Sequence, residues 1–170
     1  MNSLSYLLSL PNRWRHRRGF GVQSPWAFSF VRDALFDKSR FYLFDELGGT
    51  HSDEQLFRII HWLRPKEIIA HTDSQVTKAY LIAPLRRKVK REEGCDVYYY
   101  DAAHLCQLEK EIQADCFTPA SVIIADGTLI GNSNAWNRLL STHSVTTAFE
   151  LRDRAVALFD PARQRQTYTL

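Results

Sequence analysis

The chain has 170 residues, 45% of them hydrophobic and 24% charged, which is the balance of an ordinary soluble globular domain. Its 22 Lys and Arg exceed its 19 Asp and Glu by only three, too small an excess to indicate nucleic acid or anionic lipid as a partner. No run reaches the ~18 apolar residues of a membrane span. Three cysteines without metal-ligand spacing indicate reduced thiols. These features predict a cytoplasmic protein with no membrane association.

The first 50 residues are predicted to form a helical extension of the same structural unit. A basic cluster with interleaved aromatic residues, typical of single-stranded RNA binding, lies early in it: Arg13, Arg15, Arg17 and Arg18. Charge runs more often form solvated faces, so nucleic acid is not the expected partner. Further on, Ser24 and Pro25 are typical of an N-cap and first helical turn, and predict a largely buried helix.

Residues 51–170 alternate between helical and strand patterns. A capping box beginning at Ser52 predicts a helix that Pro65 ends. Apolar strands are predicted at 67–70, 96–100 and 121–125, with helices at 74–91 (interrupted by Pro84), 105–115 and 133–141. Two alternating runs, 145–151 and 155–159, predict a hairpin, and residues from 162 onward are expected to be loosely held. The order predicts a three-layer α/β sandwich with a mostly parallel sheet of about five strands.

Several stretches together resemble one family. Residues 21–28, GVQSPWAF, resemble a G-I-H-S-P-F-V-F opening, and residues 96–104, DVYYYDAAH, are similar to a D-L-V-F-I-D-G-N-H strand motif. Three further stretches share the resemblance: residues 64–69, residues 121–126 with the Asn134–Trp136 segment, and the terminal hairpin. All of these stretches occur in the order found in bacterial class I S-adenosylmethionine-dependent methyltransferases related to O-methyltransferases. The resemblance implies a Rossmann-like sandwich that uses S-adenosylmethionine as cofactor.

The chain departs from that family where the cofactor would bind. The family's glycine-rich E-x-G-x-x-x-G loop is replaced by residues 70–76, AHTDSQV, which contain no glycine. Only 24 residues lie between Val76 and Asp101, whereas two further crossover units would need about 60. We therefore expect the family's second and third strands to be missing. Strand 67–70 then becomes a sheet edge, which either the N-terminal helices cover or a second copy of the chain extends across a two-fold axis. Of these alternatives, a homodimer is predicted.

Asp101, His104 and Asp126 are the candidate catalytic residues because they follow the carboxyl ends of strands predicted to be neighbours. Two carboxylates and an imidazole suit acid–base work, and Asp101 with Asp126 would suit a divalent cation. The alternative is that these aspartates only cap the following helices.

His71, Asp73 and Ser74 are the candidate cofactor-binding residues because they occupy the turn after the first strand. A carboxylate at this helix N-terminus would repel an anionic ligand, which argues against a phosphate. Here too, the alternative is that Asp73 or Ser74 caps the helix.

Three functions remain open at this point. The leading hypothesis is a degenerate methyltransferase homologue that has lost cofactor binding and catalysis and acts as a binding or scaffolding protein, with itself or a full-length methyltransferase as partner. The second is an active methyltransferase that binds S-adenosylmethionine in an atypical site. The third is a small RNA-binding protein that uses the basic cluster.

Overall fold

The fold is seen in a computed structural model that describes residues 24–86, 94–127, 133–142 and 144–170. The predicted basic cluster and the last part of the predicted helix 74–91 lie outside these residues. The helices are α1 (Pro25–Phe30, continued by a π-helical turn Val31–Leu35), α2 (Leu43–Leu47), α3 (His51–Leu63), α4 (Gln75–Ile82, then a 3-10 turn Ala83–Arg86), α5 (Leu105–Gln113, preceded by a 3-10 turn Ala102–His104) and α6 (Asn134–Ser141). The strands are β1 (Glu67–His71), β2 (Asp96–Tyr100), β3 (Ser121–Asp126), β4 (Thr147–Glu150), β5 (Arg154–Leu158) and β6 (Gln166–Thr169).

The helix boundaries follow local capping rules. Ser24 caps α1, as predicted, by accepting a 3.4 Å hydrogen bond from the Ala27 N–H. The prediction for α3 was wrong by two residues, because extended backbone places Thr50 at the N-cap, and Asp53 completes its capping box. The α4 helix ends before Pro84, as predicted, because proline cannot continue the hydrogen-bond ladder.

Within the described residues, the sheet has six strands in the order β1-β2-β3-β5-β4-β6. Strands β1, β2 and β3 are parallel, whereas β5 is antiparallel to both of its neighbours, β3 and β4. The predicted terminal hairpin is thus confirmed, and β5 is the strand of that hairpin that pairs with β3. Among the described strands, β1 lies at one edge of the sheet, as expected.

The carboxyl-terminal end differs from the prediction. Residues 166–169 are not loosely held but form β6, which pairs in parallel with β4. Tyr168 stacks on Phe149 with ring centroids 5.1 Å apart, and Leu170 is only 4% exposed. Burial of these two apolar side chains offsets the entropy of ordering the chain end.

Helices cover both faces of the sheet, as expected for an α/β sandwich. Alternate residues of β3 point to opposite faces, so Val122 and Ile124 pack with α1 and α3, whereas Ile123 and Ala125 pack with α5 and α6. An aromatic group formed by Trp26, Phe30, Trp62 and Phe149 fills the first core. Among the described helices, none is long and apolar enough to cross a membrane.

Candidate functional site

The sheet register brings the predicted site residues to one edge. His71 is aligned with Tyr100 in the β1–β2 pair, and Tyr100 is aligned with Ala125 in the β2–β3 pair. The segments that follow these three parallel strands therefore meet at the carboxyl edge of the sheet. Their side chains divide into three separate groups.

The first group is built on Asp101. Its Oδ1 accepts hydrogen bonds from the N–H groups of Ala103 at 2.9 Å and His104 at 3.1 Å, which caps the 3-10 turn. The same oxygen lies 2.7 Å from His104 Nδ1. Burial alone would raise the pKa of Asp101, but hydrogen bonds from His104 and Thr72 outweigh it and lower that pKa. Asp101 thus acts as a helix cap and also orients an imidazole.

The turn after β1 closes onto this group. Thr72, 4% exposed, helps to lower the pKa of Asp101 and accepts a 3.2 Å hydrogen bond from the Ser74 N–H. Ser74 caps α4 through a 3.1 Å bond from the Thr77 N–H. The Asp73 carboxylate, 96% exposed, lies 3.9 Å from His104 Nε2. The side chains that follow β1 are thus in contact with those that follow β2.

His71 belongs to a second group. Its ring stacks on Tyr100 with centroids 4.8 Å apart, and its Nε2 lies 3.2 Å from Glu111 Oε1 without the alignment of a hydrogen bond. Glu111 also accepts hydrogen bonds from the Tyr100 hydroxyl and from Gln107. His71 is therefore directed toward α5, and the three residues predicted from the first turn do not form one site.

Asp126 belongs to a third group and is held by a buried cation. Arg154 is 2% exposed and forms a bidentate pair with Asp126, with Nε–Oδ1 and Nη2–Oδ2 distances both 2.6 Å. Burial alone would lower the pKa of Arg154, but the adjoining carboxylate raises it. The Tyr99 hydroxyl donates a further 2.9 Å bond to Asp126. Both carboxylate oxygens thus have protein partners.

These contacts limit the chemistry that the described side chains at the carboxyl edge of the sheet can perform. Within the described ranges, no group of three or more His, Cys, Asp and Glu side chains is placed to hold a metal ion. Asp126 is neutralised by Arg154, whereas Asp101 is engaged by backbone and His104, so the two predicted ligands serve different partners. The His104–Asp101 pair alone has the arrangement of an oriented base.

Tyr99, Glu111 and Arg154 complete these groups, although none was predicted as a site residue. Arg154 had a signal in the sequence, because it directly precedes the apolar run 155–159 and a charge at the start of a buried strand requires a partner. Glu111 had none, because its contacts depend on where α5 packs.

The comparisons with known proteins add no relative. No family model matches the chain, and no curated protein or solved structure matches it either.

Replacement of Asp126 by Asn is expected to destabilise the protein. The Arg154 guanidinium would stay buried without a charged partner, which typically costs about 3–5 kcal/mol. Urea unfolding measures the change. The matched control is Asp153→Asn, because Asp153 is 61% exposed and pairs loosely with Arg152 at 3.8 Å. Equal stability of the two variants would contradict a structural role for the Asp126–Arg154 pair.

Asp101 should make the free energy of unfolding depend on pH in the acid range. Because folding lowers its pKa, its contribution is complete above the unfolded value of about 3.9 and is lost as pH falls through the lower folded value. The stability difference between wild type and Asp101→Asn should therefore shrink as the pH falls from about 5 to below about 4. Urea midpoints over this range test it, with Asp73→Asn as the exposed control. A difference that grew over the same range would contradict the assignment.

Proposed function

We propose that this chain is a shortened homologue of class I S-adenosylmethionine-dependent methyltransferases that has lost cofactor binding and catalysis and acts as a binding or scaffolding protein. The strand order supports the descent. The resemblance implies a sheet with the family's first, fourth and fifth strands side by side and a reversed terminal hairpin. The observed order β1-β2-β3-β5-β4 has that arrangement.

The proposed loss of cofactor binding is supported by one observation, which is the make-up of the turn after β1. A cofactor turn needs backbone that is free to approach the ligand, and glycine usually provides it. Here the turn holds Thr72, Asp73 and Ser74, and the Asp73 carboxylate lies 3.9 Å from His104 Nε2 across the crevice. This turn has neither the glycines nor the free backbone that the family's S-adenosylmethionine loop uses.

The second candidate is an active methyltransferase with an atypical site, and the His104–Asp101 pair is the feature that favours it. An imidazole oriented by a carboxylate is a common general base. An active site that used Asp126 would require this carboxylate to leave Arg154, at the cost of a buried unpaired charge. RNA binding, the third candidate, depends on residues outside the described ranges, and salt-sensitive RNA affinity would favour it.

A thermal-shift titration with S-adenosylmethionine and S-adenosylhomocysteine, with and without Mg²⁺, separates the first two candidates. We expect no change in melting temperature at millimolar ligand, because the turn after β1 has no glycine and Asp126 is paired with Arg154. Ligand at 100 times its dissociation constant would add about 2.7 kcal/mol, or several degrees. A cofactor-dependent methyltransferase measured alongside verifies the assay. A shift that Asp101→Asn abolishes would overturn the proposed loss of function in favour of the second candidate.

The partner that we propose first is a second copy of the chain, bound through the open edge of β1. Within the described residues β1 pairs in the sheet with β2 alone, and Ile68 and Ile69 are only half-buried. An unpaired strand edge presents backbone donors and acceptors that a two-fold-related β1 would satisfy. A full-length methyltransferase is the alternative partner for the same edge.

Light scattering should therefore give twice the 19.7 kDa chain mass. Ile69→Lys should shift the protein to monomer, because a lysine on an edge strand opposes strand addition. Ile82→Lys is the matched control, since Ile82 is 55% exposed and lies on α4 rather than on the edge strand. A wild-type protein that is monomeric in solution would contradict the proposed homodimer. It would not change the interpretation of the thermal-shift titration with S-adenosylmethionine.

A further inference from the structure

A cavity of about 290 Å³ lies at the amino edge of the sheet, opposite the carboxyl-edge groups. It is bounded by the segments that precede β2 and β3, by the end of α3 and by the loop after β5. The side chains that define it are Trp26, Trp62, Cys95, Val122, Leu158 and Arg163. None of these residues belongs to the candidate site described above.

Arg163 is the cation of this cavity. Its guanidinium carbon lies 3.7 Å from the centroid of the Trp26 ring, so the group lies on the indole face. Its Nε is 3.0 Å from Asp160 Oδ2 but is not aligned for a hydrogen bond, and this buried nitrogen has no hydrogen-bond partner in the described part of the chain. A donor removed from water without an acceptor favours a ligand that brings one.

The walls favour a flat apolar body. Trp26 and Trp62 meet edge to face, with centroids 5.2 Å apart and planes at 77°, and Val122 and Leu158 add aliphatic surface. A cavity of about 150 Å³ is enough for benzene. The volume here, about 290 Å³, is roughly twice that and matches two fused rings.

A bound anion would share the guanidinium with Asp160, which also lines the cavity and whose Oδ2 lies 3.0 Å from Arg163 Nε. The Asp160 carboxylate is 38% exposed, and its Oδ1 accepts a 3.0 Å bond from the Ala162 N–H. Burial raises the pKa of Cys95 to about 11, so this thiol is neutral at physiological pH. Burial lowers the pKa of Arg163 and Asp160 raises it, and an arginine remains charged under these conditions.

We propose that this cavity binds a planar aromatic carboxylate of two fused rings, with the rings between Trp62 and the aliphatic wall and the carboxylate paired with Arg163. Arginine recognises carboxylates through its planar fork of N–H donors, which a point charge cannot reproduce. The site is independent of the proposed function, because it lies at the opposite edge of the sheet and requires neither cofactor binding nor dimerisation.

The test is calorimetric titration of the full chain with 2-naphthoate, and with 2-naphthylmethanol as the neutral analogue. A ligand of about 13 heavy atoms at about 0.3 kcal/mol per atom corresponds to a dissociation constant near 1 mM. We expect 2-naphthoate to bind about tenfold to hundredfold more tightly than the alcohol, the range for a charge-assisted hydrogen bond. No binding at 10 mM, roughly ten times that constant, overturns the proposal.

Arg163→Gln should abolish the preference for the carboxylate while leaving the weaker affinity for the alcohol. Arg138→Gln is the matched control, because Arg138 is an exposed arginine (58%) paired with Glu109 on the α5–α6 surface. Equal preference in Arg163→Gln and wild type, or equal affinity of wild type for acid and alcohol, overturns the role of Arg163.

A second readout needs no substitution. Cys95 lines the cavity, whereas Cys106 and Cys116 are exposed elsewhere. Bound 2-naphthoate should slow the reaction of Cys95 with N-ethylmaleimide, followed by peptide mass spectrometry, and leave the other two thiols unchanged. Uniform protection of all three, or of none at saturating 2-naphthoate, contradicts binding in this cavity.

Discussion

The buried pair of Arg154 and Asp126 connects four parts of the fold. The two residues face each other in the register of β5 and β3, and Tyr99 of β2 donates to the same carboxylate. Arg154 also donates to the Ser52 carbonyl at 2.8 Å and to the Ser52 hydroxyl at 3.1 Å, which attaches the start of α3 to the sheet. A buried cation tolerates few alternatives to such partners. The pair therefore fixes both the position of β5 and the position of α3.

That constraint extends to the carboxyl edge. In many α/β proteins the residues that follow adjacent parallel strands remain available to a ligand. Here Asp126 is committed to Arg154, Asp101 to the 3-10 turn and His104, and Thr72 to the Ser74 N–H. These contacts occupy the carboxylates that a ligand of this edge would use, although His71 Nε2 is buried without an aligned hydrogen-bond partner among the described residues. The amino edge contains a cavity and an incompletely paired guanidinium.

Much of the architecture could be predicted because its signals are local. The strand β3 and the hairpin β4–β5 are apolar or alternating runs bounded by polar residues, and Pro84 marked the end of α4. The strand β6 was not predicted because it is short, although residues 166–170 do alternate between exposed and buried positions, with Tyr168 and Leu170 inward. Residues 166–169 form a strand because they pair with β4, in which Thr147 and Phe149 are aligned with Gln166 and Tyr168. Propensity alone carries no information about that neighbour.

The candidate site was less predictable because its contacts depend on register. The predicted strand order placed Asp101, His104 and Asp126 at the carboxyl edge of the sheet, and they lie there in the structure. The pairing of individual side chains could not be predicted from the sequence, because Asp126 and Arg154 are 28 residues apart and their contact requires β5 to lie beside β3. The same register that makes the sheet compact thus converts a carboxylate that resembles a ligand into part of the scaffold. For Asp126, the buried cation opposite it in the sheet accounts for the position of the carboxylate at the strand end.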